Sequence, residues 1–216
     1  ITSSSTCPKT SCSKPKYSIP AAFALFIGKS HKKSLSPMTS ETQILSLTDI
    51  DYIPYLDETG NLPESLQGKI GIYAIFDQDK TLQLVNYSRD IYLSLKQHLV
   101  RQPKSCYWLK VQTIDRPNRT QLENIRNTWI EENGTIPAGN GADEAVWNQP
   151  IDAKVAMTDE EQESFRKGDG IMQVKLLKQV ARRVEAQILE ELKTRGVQTE
   201  IRFNPKLKEN GLLDLK

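Results

Sequence analysis

The chain is poor in cysteine and histidine and has no long apolar run, and each shortage removes a class of function. Its three cysteines, Cys7, Cys12 and Cys106, are too few and oddly numbered for a disulfide framework. The Cys7–Cys12 spacing is poor for zinc, and only two histidines could complete a ligand set. A reducing compartment is the simpler reading. The longest apolar stretch, residues 19–28, is interrupted by Pro20 and is too short to span a bilayer. No glycine-rich strand-to-helix loop precedes a lysine, so Gly139-Asn140-Gly141 reads as a turn and not as a phosphate loop.

Charge of one sign is also missing by region. Residues 1–40 hold six lysines, no arginine and no acid, whereas residues 41–67 hold six acids and no lysine or arginine. Residues 68–134 carry ten basic and seven acidic side chains. No segment is basic enough to track a phosphate backbone strongly. Residues 1–37 are rich in Ser, Thr, Lys and Pro and are predicted to be disordered, because this composition buries too little surface to offset chain entropy. Two readings of that extension stay open. It is a transit-like segment, which places the protein in a plastid, or a non-native extension ahead of Met38, which leaves a bacterial cytoplasmic protein.

The rest divides into an acidic lead-in arm (38–67), a compact domain (68–140), a loop (141–157) and a helical C-terminal extension with a short strand (158–216). Residues 69–76 and 81–87 are rich in β-formers and flank a short turn, which predicts a hairpin. A helix follows, with Ile91, Leu95 and Leu99 on one face and Ser88 or Asp90 as its cap. Residues 107–114 predict a third strand. Thr120 and Glu123 have capping-box spacing and open a second helix with Leu122, Ile125, Trp129 and Ile130 on its apolar face. Thr158 and Glu161 repeat the capping box. A long helix over 171–195 places Val174, Leu177, Ala181, Val184, Ile188 and Leu192 on one stripe, and 197–203 alternates like a short strand. The expected fold is α+β, a small three-stranded antiparallel sheet flanked by helices.

This order of elements, opening on Gly71-Ile72-Tyr73, with Leu95-Lys96-Gln97-His98-Leu99 downstream and Trp129-Ile130 before Pro137 and Asn140, resembles the GIY-YIG nuclease superfamily over about a third of the chain. The resemblance implies phosphodiester cleavage with one divalent metal, a tyrosine acting on the attacking water, an arginine on the phosphate and a glutamate on the metal. Tyr73 matches the first motif. The second motif is replaced by Leu84-Val85-Asn86, and Tyr87 lies on the opposite strand face from Leu84. The arginine position holds Ser94, which cannot supply a cation. The metal-binding position holds Arg126, with Glu123 one turn earlier.

Leu84, Asn86, Ser94 and Arg126 are thus degenerate positions, and Tyr73, His98 and Glu123 are the candidate catalytic residues, Glu123 also as the metal ligand. Three functions stay open, and whether the chain is an enzyme is undecided. A catalytically impaired scaffold would bind nucleic acid weakly, or a protein, and need no cofactor. An active endonuclease with a shifted site would need Mg²⁺ or Mn²⁺. A protein-interaction module would work through the C-terminal helix. No membrane partner is expected, and the composition does not set an oligomeric state.

Overall fold

A computed structural model describes residues 45–116 and 118–216. The readings of residues 1–37, and Cys7 and Cys12 with them, lie outside the described residues. The strands and helices are β1 (Ile53–Pro54), β2 (Gly71–Phe76), β3 (Leu82–Ser88), α1 (Ile91–Arg101), β4 (Trp108–Thr113), α2 (Arg119–Glu132), α3 (Glu144–Asn148), β5 (Ile151–Asp152), α4 (Asp159–Lys167), α5 (Gly170–Thr194) and β6 (Leu212–Leu213).

The α+β class holds, but the main sheet has four strands and not three. Its order is β1-β4-β2-β3, antiparallel throughout. The extra strand comes from the acidic arm, where Ile53 and Pro54 pair with Leu109 and Trp108. Two residues are too few to show alternation, and the proline is tolerated because β1 is an edge. The central strand β2 is buried along its whole length. Gly71 sits where a Cβ would fall 2.2 Å from the Gln112 carbonyl oxygen, so only glycine permits this register.

Alternation along β2 and β3 sorts two cores. On one face Tyr73, Ile75 and Leu84 pack with Ile91, Leu95 and Leu99 of α1 and with Val180, Ala181 and Val184 of α5. On the other, Ile72, Ala74, Phe76 and Val85 pack with Leu122, Ile125 and Trp129 of α2. The C-terminal helix therefore shares a core with the sheet. Its expected stripe is buried at Leu177, Ala181, Val184 and Leu192, while Val174 is exposed.

Two local expectations need correction, and two caps are found where expected. The N-cap of α2 is Asn118, whose side chain accepts from the Thr120 N–H, and Glu123 forms no capping box. Asn118 wins because an Asn oxygen one residue before the helix reaches a free N–H with little loss of freedom. Residues 197–203 form no strand; Phe203 makes one bridge to Leu215, and the short strands are β5 and β6. The α1 helix is capped by Asp90, which accepts from the Leu93 N–H. The capping box at Thr158 and Glu161 is present as expected.

The outer edge of β3 is covered by a side chain. Asn140 accepts from the Val85 N–H (2.8 Å) and donates to the Val85 carbonyl (2.7 Å), reproducing a strand partner with one amide. Arg126 adds a third contact, from Nε to the same carbonyl at 3.2 Å.

Candidate functional site

The candidate residues fall on opposite faces of the sheet. Tyr73, on β2, points to the α1 face. There its hydroxyl donates to His98 Nε2 at 2.9 Å. The other ring nitrogen, Nδ1, donates to the Trp147 carbonyl at 3.2 Å. A carbonyl only accepts, so the proton is on Nδ1 and Nε2 is the acceptor for Tyr73.

Trp147, from the short helix α3, closes over this pair with its ring centroid 5.6 Å from that of His98. The Trp147 carbonyl also accepts from Arg101 Nη1 at 2.9 Å, and Arg101 Nη2 reaches both carboxylate oxygens of Asp214 at 3.1 Å. Tyr73 is 1% exposed and His98 3%. Burial, with the nearby Arg101 charge, holds the imidazole down at about 3 against the opposing pull of the Trp147 carbonyl. Burial likewise pushes the Tyr73 hydroxyl up. Burial therefore favours the neutral form of both groups near neutral pH and leaves them little contact with solvent.

Ser94 is bonded across the turn between β3 and α1. It donates to Ser88 Oγ at 2.7 Å, and Ser88 donates to the Asp90 carbonyl. Leu84 is core, and Asn86 donates to the Asn148 side-chain oxygen at 3.2 Å.

Glu123 is on the other side of the sheet. Ile72 pairs with Tyr87 across β2 and β3, so Tyr87 shares the α2 face. Its hydroxyl donates to Glu123 Oε1 at 3.2 Å, and Arg119 Nε donates to the same oxygen at 2.8 Å. The Arg119 bond holds the carboxyl below its usual range, with Tyr87 and the Arg126 charge adding to it. The structure therefore brings Tyr73 and His98 together and keeps Glu123 apart from them. Among the described residues no three His, Cys, Asp or Glu side chains are grouped to hold a metal ion, and Glu123 has arginines for neighbours.

Beside Glu123, where β2 begins, β3 ends and α2 begins, lies a cavity of about 750 Å³ lined by Ile70, Tyr87, Ser88, Arg89, Arg119 and Leu122. Arg89 and Arg119, one at a strand end and one at a helix start, are the sequence signal for this opening.

Cys106 precedes β4 and is fully buried. Burial pushes its thiol up to about 12, against smaller opposing effects of the Tyr55 hydroxyl and Arg195. Among the described residues, no helix is long and apolar enough to cross a membrane.

No family model matches the chain. Over 105 residues, 47% of this chain, it is 32% identical to the Bifunctional monothiol glutaredoxin-S16, chloroplastic, of Arabidopsis thaliana. The chain spans 31% of that relative's length. The GIY-YIG assignment is corrected by this finding, together with the endonuclease, pseudo-nuclease and DNA-binding readings drawn from it, because the relative is named as a glutaredoxin and no nuclease family model matches. The third reading, a module that docks through the stripe of its C-terminal helix, fails on packing: Leu177, Ala181 and Val184 already fill the chain's own core.

Proposed function

We propose that this chain is a ligand-binding part, not the thiol-exchanging part, of a redox-linked protein of the kind its relative's name describes. That name joins two functions, and the similarity extends over less than a third of the relative. Monothiol exchange needs an accessible thiolate. Cys106, the cysteine among the described residues, is sealed and held protonated. This observation carries the reading: the described residues offer a binding surface and no competent thiol. The chain's compartment on this reading is a plastid. The relative's name, and the Ser-rich, acid-free composition of residues 1–37, support that placement.

The test is alkylation of the native full chain with peptide mapping, beside reduction of a glutathione mixed disulfide. Cys106 should stay unmodified until denaturant is added, and Cys106→Ser should not change any exchange activity the chain shows. Rapid native labelling of Cys106, or loss of exchange in Cys106→Ser, would sink the reading. Import of a fluorescent fusion of residues 1–37 into isolated chloroplasts tests the compartment.

A further inference from the structure

The cavity at the start of α2 is lined by both polar and apolar side chains. Ile70 and Leu122 supply apolar surface, while the Tyr87 and Ser88 hydroxyls are already bonded to Glu123 and the Asp90 carbonyl. Arg89 and Arg119 bring two guanidinium groups to the same opening from different elements. Among the described residues Arg89 has no hydrogen-bond or ion-pair partner, so its donors are available. Arg119 is tied to Glu123 through Nε, and its side chain is 83% exposed. Of the nearby carboxylates, Glu123 is engaged by Arg119 and Tyr87, and Asp90 by the Leu93 N–H.

The far end of α2 is built the opposite way. There Lys110 donates to the Leu47 carbonyl at 2.8 Å and stands 4.1 Å over the Tyr52 ring, and Lys80 stands 4.8 Å from the same ring. Those lysines have aromatic faces and a carbonyl as partners. Arg119 has Glu123 and the Tyr87 hydroxyl beside it at the start of α2, the positive end of that helix. An ion the size of phosphate would fill only a small part of about 750 Å³, and Ile70 and Leu122 add apolar surface to the lining.

We propose that this cavity binds an organic oxyanion, a phosphate monoester or carboxylate carried on an apolar body, with the charged group clamped between Arg89 and Arg119 and the body resting on Ile70 and Leu122. Paired N–H donors on a guanidinium suit both groups. The inference rests on the binding role proposed above and gives it a ligand class. Glu123 is a competitor in this site: it occupies Arg119 when the ligand is absent.

The experiment is titration of the full chain with phenyl phosphate and with benzoate, read by amide chemical shifts, beside inorganic phosphate and benzylamine. Saturable shifts at Ser88, Arg89 and Leu122 are expected with one or both aromatic anions, which also separates the phosphate from the carboxylate source. Inorganic phosphate should bind more weakly and benzylamine not at all. Arg89→Ala should weaken binding about tenfold. Glu123→Gln should tighten it a few-fold by freeing Arg119. All these side chains are on the surface, so folded variants are expected, and dispersed amide spectra confirm it. Equal binding by benzylamine, no effect of Arg89→Ala, weaker binding in Glu123→Gln, or shifts confined to residues away from this cavity would each overturn the site. A silent titration with unreactive Cys106 removes the ligand class alone, whereas reactive Cys106 removes the wider reading.

Discussion

The two faces of the central sheet carry two tyrosine-centred clusters with opposite fates. On the α1 face, Tyr73 and His98 are sealed under Trp147 and held in neutral form. On the α2 face, Tyr87, Glu123 and Arg119 keep contact with water, and the Arg119–Glu123 ion pair stands beside an open cavity. The residue types alone favour the first cluster as the chemically active one. Burial reverses that ranking. A tyrosine–histidine pair with no solvent and no proton to exchange is a structural bond, while an arginine with free donors can still meet a ligand.

The largest way to break the contrast is to open the sealed face. Trp147→Ala should cost about 3–5 kcal/mol in denaturant unfolding, the usual range for removing a buried tryptophan. It should also raise the His98 pKa toward the ordinary value, visible in the imidazole resonances. A loss below about 1 kcal/mol would mean that α3 does not seal the pair.

Acid titration sharpens the same point. His98 is neutral in the folded chain down to about 3, whereas an unfolded histidine protonates below about 6.5. Its contribution to stability is therefore complete above the unfolded value and is lost as pH falls toward the folded one. The slope is about 1.4 kcal/mol per pH unit in that window. His98→Gln should flatten it; an unchanged slope would show that His98 is already exposed.

A smaller effect is expected at the edge of β3. Asn140→Ala removes both amide contacts to Val85 and should cost about 1–3 kcal/mol, with faster hydrogen exchange at the Val85 amide. Unchanged protection at Val85 would refute the edge-cover role. The smallest effect belongs to the open cluster. Glu123→Gln should shift unfolding by less than about 0.5 kcal/mol, as exposed pairs do, while changing ligand affinity as described above.

The hairpin was legible because 69–76 and 81–87 are short, rich in β-formers and separated by a turn, and the structure places β2 and β3 within a residue or two of those limits. The α1 and α5 helices were legible from their apolar stripes. β1 was not legible, because a two-residue strand containing proline has no period and exists only through its pairing with β4. The Thr120–Glu123 spacing suggested a cap that Asn118 provides instead. In the site, Tyr73 and His98 were singled out and do meet, but their seal was hidden in a stretch read as a Gly/Asn-rich loop. Glu123 was grouped with them by spacing, which says nothing about which face of the sheet each helix covers.

The sequence by itself determined the α+β class, the order of the main strands and helices, and the residues able to carry chemistry, because propensity and periodicity act over a few neighbours. Only the tertiary structure decided which of those residues meet, which are dry and which face solvent. Those outcomes depend on how α1, α2 and α3 distribute over the two faces and edges of one sheet, and that distribution is set by packing between segments distant in the chain.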